Sequence, residues 1–186
     1  MEMSLTKIGK WFGSIVLVAG IARIGMTPTS LVWGTDSTQE LSFGFAACVL
    51  MALGSFGLFL VQRESGKLGF VSALSLVLFN AVTGCMVWAI LAAGMSGDGN
   101  APFGDNPVVL MTRILIMAGM FLGTPAFAYA TFRAKVFPRW IVWLLLLAMI
   151  GPMLPGMEKI GAAFWGLSYV GMGWVMITGK YAVPRE

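Results

Sequence analysis

The sequence contains no histidine and little charge of either sign. Only 11% of its 186 residues are charged, whereas soluble domains usually carry about a quarter. The absence of imidazole excludes bis-histidine haem sites, most copper and zinc sites, and the serine–histidine pair of hydrolases. We therefore predict no metal site and no cofactor, and we expect a protein that is not an enzyme.

Sequence patterns for nucleotide chemistry and nucleic-acid binding are also absent. There is no Gly-x-x-x-x-Gly-Lys pattern to hold a phosphate. The basic residues form short clusters between apolar runs rather than one basic helix. Such clusters are typical of the loops of membrane proteins, which accounts for the net charge of +4. We predict no nucleic-acid partner.

Long apolar runs recur along the chain, and 58% of the residues are hydrophobic. A helix needs about 20 mostly apolar residues to cross the hydrocarbon core of a bilayer. Six runs are near that length, so we predict an all-α, polytopic membrane protein with one compact bundle spanning residues 1–186 and the lipid bilayer as its surroundings. The six helices are expected at 9–30, 41–62, 69–94, 108–132, 139–156 and 160–179.

The loop charges predict an orientation. Basic residues of loops concentrate on the cytoplasmic side of membrane proteins, and here the basic residues outside the apolar runs, with one exception, fall on one side of the six predicted helices. These residues are Lys7, Lys10, Arg63, Lys67, Arg133, Lys135, Arg139, Lys180 and Arg185. The other side carries one basic residue and several acids, namely Lys159, Asp36, Glu40, Asp98, Asp105 and Glu158. We predict a multi-pass protein of the inner (plasma) membrane with both termini in the cytoplasm.

The N-terminus has one feature of a secretory signal, a basic start followed by an apolar run. The apolar character continues to Trp33, however, beyond the length of a signal segment. We therefore expect an uncleaved first helix.

Two arginines, Arg23 and Arg113, lie inside apolar runs that contain no acidic residue. A charge at the bilayer centre costs about 3 to 10 kcal/mol, depending on how far it can snorkel. From the helical rise, Arg23 lies about 18 Å from its cytoplasmic entry and Arg113 about 9 Å below the outer surface. Each could snorkel or pair with a loop acid such as Asp36, Glu40 or Asp105. Alternatively, both could face the bundle and bind an anion, for which the planar guanidinium is well suited.

Other polar side chains extend this candidate site. Asn80 lies in the middle of the third predicted helix, and Tyr169 lies midway along the sixth. With Arg23 and Arg113 they form the predicted ligand-binding set. A structural role stays open, because asparagine within a membrane often bonds only a neighbouring helix. In the fourth helix Pro125 lacks a backbone donor and predicts a local distortion.

Two further features bear on the site. Asp98 and Asp105 border a glycine-rich stretch, 97–104, that could fold over the two arginines. Cys48 and Cys85 fall in apolar runs and are expected to be small core residues, although a disulfide between neighbouring helices stays open.

These observations favour a protein that binds, and could translocate, a small amphipathic or anionic ligand near the outer leaflet. Such a ligand would be an anionic lipid or a small solute. The alternative is an accessory subunit whose apolar outer faces pack against other membrane subunits and whose arginines are structural. A membrane enzyme that uses Asn80, Tyr169 and the arginines is a third hypothesis.

Overall fold

The computed structural model describes residues 5–95, 106–154, 157 and 160–179. Within these ranges the chain is helical and contains no β-strand. The α-helices are α1 (Leu5–Trp33), α2 (Thr38–Val61), α3 (Gly66–Met95), α4 (Pro107–Ala118), α5 (Thr124–Ala134), α6 (Arg139–Ile150) and α7 (Gly161–Thr178). A π turn, Gly119–Gly123, joins α4 to α5, so the two form one continuous helix. The prediction of an all-α fold is confirmed for the described residues.

Four helical segments are long and apolar enough to cross a membrane. They are Lys7–Trp33, Thr38–Val61, Gly66–Gly94 and Pro107–Ala134. Arg139–Ile150 is apolar but shorter. Long apolar helices of this kind indicate a membrane protein.

The fifth predicted helix is shorter than the sequence indicated. We expected it to continue to residue 156, but α6 ends at Ile150 and a 3₁₀ turn follows over Gly151–Met153. Proline lacks the backbone N–H that would continue the α-helical hydrogen bonds, so Pro152 ends the α-helical pattern. Between α6 and α7, Met157 N–H donates to the Leu154 carbonyl and Ile160 N–H donates to the Met157 carbonyl.

The helices form a closed ring around a common core. Going around the ring, α1 contacts α2, α2 contacts α3, and α3 contacts the continuous helix of α4 and α5. The ring closes because α5 contacts α6, α6 contacts α7, and α7 packs along α1. The interior is filled by large side chains, among them Tyr169, Phe127, Met51, Met172 and Met176. Side chains that point inward from any helix therefore meet in one core.

Glycines allow α1 and α7 to pack backbone against backbone. A Cβ at Gly20 would lie 2.5 Å from the Gly166 carbonyl oxygen, and one at Gly166 would lie 2.6 Å from the Gly20 carbonyl oxygen. Gly173 is equally close to α1, since a Cβ there would lie 2.5 Å from the Leu17 nitrogen. Small residues at helix contacts are common in membrane bundles because they permit this close approach.

Candidate ligand site

Arg23 points into the bundle from α1. One of its terminal nitrogens, Nη1, donates to the Cys48 Sγ of α2 at 3.9 Å, and its guanidinium carbon lies 5.4 Å from the centre of the Trp165 ring of α7. Arg23 itself is only partly buried, whereas Cys48 and Trp165 are buried. The cation therefore rests between three helices against a thiol and an aromatic face.

The close contact between α1 and α7 brings these groups together. Gly166 directly follows Trp165, and Gly20 lies almost one helical turn before Arg23. Because Gly20 and Gly166 hold the two backbones in contact, the arginine and the indole face each other across that contact. The Trp165 ring also stacks on Phe79 of α3, with centroids 5.2 Å apart and an interplanar angle of 14°.

The Nε of Arg23 is buried and has no hydrogen-bond partner in the described part of the chain. A buried polar group without a partner costs about 1 to 3 kcal/mol, and a charged group costs more. A cation–π contact returns only about 0.5 to 2 kcal/mol. The contacts present therefore leave the positive charge and its N–H groups incompletely satisfied.

A second group of polar side chains adjoins the arginine. The Tyr169 hydroxyl of α7 is fully buried and lies 3.5 Å from Ser55 Oγ of α2. Ser55 donates its proton to the Met51 carbonyl at 2.8 Å, so Tyr169 is the donor toward Ser55. The side chains of Asn80 and Trp165 also hydrogen-bond that hydroxyl, and Arg23 lies close enough to act on it electrostatically. Of the four predicted ligand residues, the structure thus brings Arg23, Asn80 and Tyr169 into one interior region.

The side chain of Asn80 is buried and forms a hydrogen bond within its own helix, α3. Its amide nitrogen donates to the Leu76 carbonyl of the preceding turn at 2.8 Å. The Asn80 side chain also hydrogen-bonds the Tyr169 hydroxyl of α7. The interhelical bond expected of an asparagine within the apolar helices is therefore present, and it is compatible with a structural role for Asn80.

Arg113 lies elsewhere. It is exposed on α4 and makes no hydrogen bond or ion pair within the described ranges. The helix that carries it packs against α3 and the π turn, on the far side of the ring from α1. Nothing in these contacts joins Arg113 to Arg23, so the two arginines do not form a pair.

The loop acids expected to neutralise the arginines are used differently where they are described. Glu40 belongs to the N-terminal cap of α2: its carboxylate accepts from the Asp36 N–H at 2.7 Å, and its own N–H donates to Ser37 Oγ at 3.3 Å. This reciprocal arrangement resembles a capping box. Asp98 and Asp105, with the stretch 97–104, lie outside the described residues.

Cys48 and Trp165 are the site residues that the sequence did not reveal as such. Cys48 was expected to be a core residue, and it is buried, but its sulfur faces a cation. Cys85 is exposed, and neither cysteine forms a disulfide. Trp165 precedes Tyr169 by four residues, so both lie on one face of α7. That spacing is the signal that could have added Trp165 to the predicted set.

The interior site consists of one cation and several hydrogen-bond donors, with no carboxylate in contact in the described residues. Comparisons with protein-family models, with curated proteins and with solved structures find no match to this chain. The chemistry of the site must therefore be inferred from its own geometry. A guanidinium with free N–H groups, an indole N–H and hydroxyls together suit an oxyanion, such as a carboxylate or a phosphate.

Proposed function

We propose that this protein is a non-enzymatic membrane protein that binds the anionic group of a small amphipathic ligand at Arg23, and that it could translocate that ligand. The supporting observation is the partly buried guanidinium, whose Nε has no partner and which no described carboxylate neutralises. An anion bound here would satisfy groups that otherwise reduce the stability of the fold.

The apolar part of the ligand follows from the surroundings. The core beside the site is lined by buried apolar side chains such as Phe79 and Met51, and lipid surrounds a membrane bundle on all sides. A ligand with one charged oxygen-bearing end and a hydrocarbon remainder would match both environments. An anionic lipid and a free amphipathic acid share this chemistry.

The proposal includes the topology. All six helical rods, including the short α6, would cross the inner (plasma) membrane, with both termini in the cytoplasm. The support is the strong imbalance of basic residues between the two sides of the helices. Reporter fusions after residues 34, 64, 96, 136, 157 and 186 test it. Activity that fails to alternate between the two compartments would contradict six crossings.

A series of ten-carbon probes tests the ligand chemistry. Decyl phosphate and decanoate share their chain with decanol and decyltrimethylammonium but differ in the charge of the head. We expect the first two to raise the thermal midpoint of the purified protein in a maltoside detergent by about 5 to 10 °C at saturating concentration, because binding to the folded state stabilises it. The neutral and cationic probes should leave it unchanged.

Matched arginine variants identify the site. Arg23→Gln should abolish the shift caused by decyl phosphate, whereas Arg113→Gln should retain it. Equal loss of the shift in both variants would indicate non-specific attraction and would contradict a site at Arg23. A shift retained in Arg23→Gln would contradict it as well, and would favour the accessory-subunit hypothesis, in which the arginine is structural.

A further inference from the structure

A groove on the outside of the ring carries a second inference, independent of the Arg23 site. It lies between α3 and the continuous helix of α4 and α5, and it has a volume of about 400 Å³. Its walls are almost entirely apolar. From α3 it is lined by residues between Leu68 and Val82, and from the opposite helix by residues between Leu115 and Ala126.

The π turn shapes this groove. Pro125 has no N–H, and the chain responds with the π turn, in which the backbone N–H of Thr124 and its hydroxyl both donate to the Gly119 carbonyl. The two glycines of the turn face α3 closely. A Cβ at Gly119 would lie 2.5 Å from the Phe79 Cβ, and one at Gly123 would lie 3.1 Å from the Ser75 Cβ. Isolated π turns are frequent at functional sites.

The groove is long, narrow and open to lipid at its side. From Leu68 to Val82 it follows α3 for fourteen residue steps, or about 21 Å at the helical rise. That length is about two-thirds of the roughly 30 Å hydrocarbon core, so it spans one leaflet and extends into the other. A single extended acyl chain fits these dimensions.

One end of the groove lies beside a basic cluster, defined as Arg63, Lys67 and Arg133. Lys67 is one turn before Val71 on the same stripe of α3, and Arg133 is two turns after Ala126 on the same stripe of α5. Arg63 belongs to the short turn Arg63–Ser65, which α5 contacts. All three basic residues are exposed, and Glu64 is the acidic residue in this stretch of sequence.

We infer that this groove and its basic cluster form a specific site for an anionic phospholipid, with one acyl chain in the groove and its phosphate at Lys67 and Arg133. Basic residues at the end of a groove between membrane helices are suited to bind anionic headgroups, each contributing about fivefold to affinity. Charge complementarity thus specifies the head of the occupant, and the apolar walls specify its tail.

Lipid retention measured by native mass spectrometry tests the site. The full chain is released from nanodiscs that contain equal amounts of phosphatidylglycerol and phosphatidylcholine with identical acyl chains. We expect one phosphatidylglycerol to be retained preferentially. Lys67→Gln with Arg133→Gln should lower that preference about 25-fold, whereas the matched pair Lys7→Gln with Lys10→Gln should leave it unchanged.

Groove-filling variants test the acyl chain separately. Ala126→Trp, and independently Ala118→Phe near the other end, should reduce retention of both lipids while the protein stays monodisperse with an unchanged thermal midpoint. Three results would overturn the site. They are equal effects of the Lys67/Arg133 and the Lys7/Lys10 double substitutions, equal retention of both lipids by the wild type, or full lipid retention in a folded filling variant. Dimers that disappear in the filling variants would instead assign the groove to a second copy of the chain.

Discussion

The interior face of α1 and the outer face of α4 each carry one arginine within an apolar helix, but their surroundings differ. Arg23 lies between Cys48 and Trp165, its Nε has no partner in the described residues, and no described carboxylate contacts it. Arg113 is exposed and lacks such neighbours in the described residues. The difference shows that the direction of the side chain, rather than its position along the helix, decides which groups surround an arginine in an apolar helix.

The largest effect is expected from breaking the contact that positions the interior arginine. In Gly166→Ala the new Cβ would lie 2.6 Å from the Gly20 carbonyl oxygen, so α1 and α7 must separate. We expect a loss of about 2 to 3 kcal/mol in the free energy of unfolding. Thermal or denaturant unfolding in detergent measures it.

Gly94→Ala in α3 is the matched control for this prediction. A Cβ at Gly94 would meet no atom of another helix within 4 Å in the described part of the chain. The substitution should therefore only improve helix propensity, by up to about 1 kcal/mol. If Gly166→Ala is as stable as Gly94→Ala, the backbone contact between α1 and α7 does not position Arg23.

A smaller effect on the free energy of unfolding distinguishes Arg23 from Arg113. Arg23→Met removes a charge and an unpartnered Nε from the core while keeping an unbranched side chain. We expect the ligand-free protein to gain about 1 kcal/mol, or about 2 to 4 °C in its thermal midpoint. Arg113→Met should change stability by less than about 0.5 kcal/mol, as is usual for exposed positions. A clear loss of stability in Arg23→Met would show that contacts within the ligand-free protein already compensate the charge and the N–H groups of Arg23.

The smallest effect on stability concerns Tyr169, with Tyr129 as its control. Tyr169→Phe removes the buried hydroxyl that donates to Ser55 Oγ. Because that contact is long, we expect a loss of about 0.5 kcal/mol, together with weaker binding of decyl phosphate. Tyr129 is exposed on α5, and Tyr129→Phe should change neither quantity. Thermal midpoints with and without decyl phosphate measure both effects, and equal behaviour of the two variants would remove Tyr169 from the site.

Much of the fold follows from the sequence because apolar length and helix-breaking residues act locally. The predicted starts and ends of the long helices agree with the structure to within a few residues, and Pro125 does coincide with a distortion, the adjoining π turn. The end of α6 was missed because the apolar run continues past Gly151-Pro152 and outweighed the proline in the prediction.

The site was less predictable because it depends on which helix faces meet. Depth along a helix placed Arg23 and Arg113 at similar levels, but depth contains no information about rotation around the helix axis. Rotation is set by packing, here by Gly20 and Gly166, whose role appears only once both helices are placed. For the same reason Cys48 could not be distinguished from an ordinary core residue.

The most direct measurement is nuclear magnetic resonance of the arginine Nε–H groups in protein labelled with nitrogen-15 at arginine. Signals of Arg23 and Arg113 are assigned by their loss in Arg23→Gln and Arg113→Gln, and decyl phosphate is then titrated. We predict that the Arg23 Nε–H signal shifts saturably, as a new hydrogen bond forms at a donor that had none, while the Arg113 signal stays in place. An unchanged Arg23 signal, or equal shifts of both signals, would contradict an anion site inside the bundle.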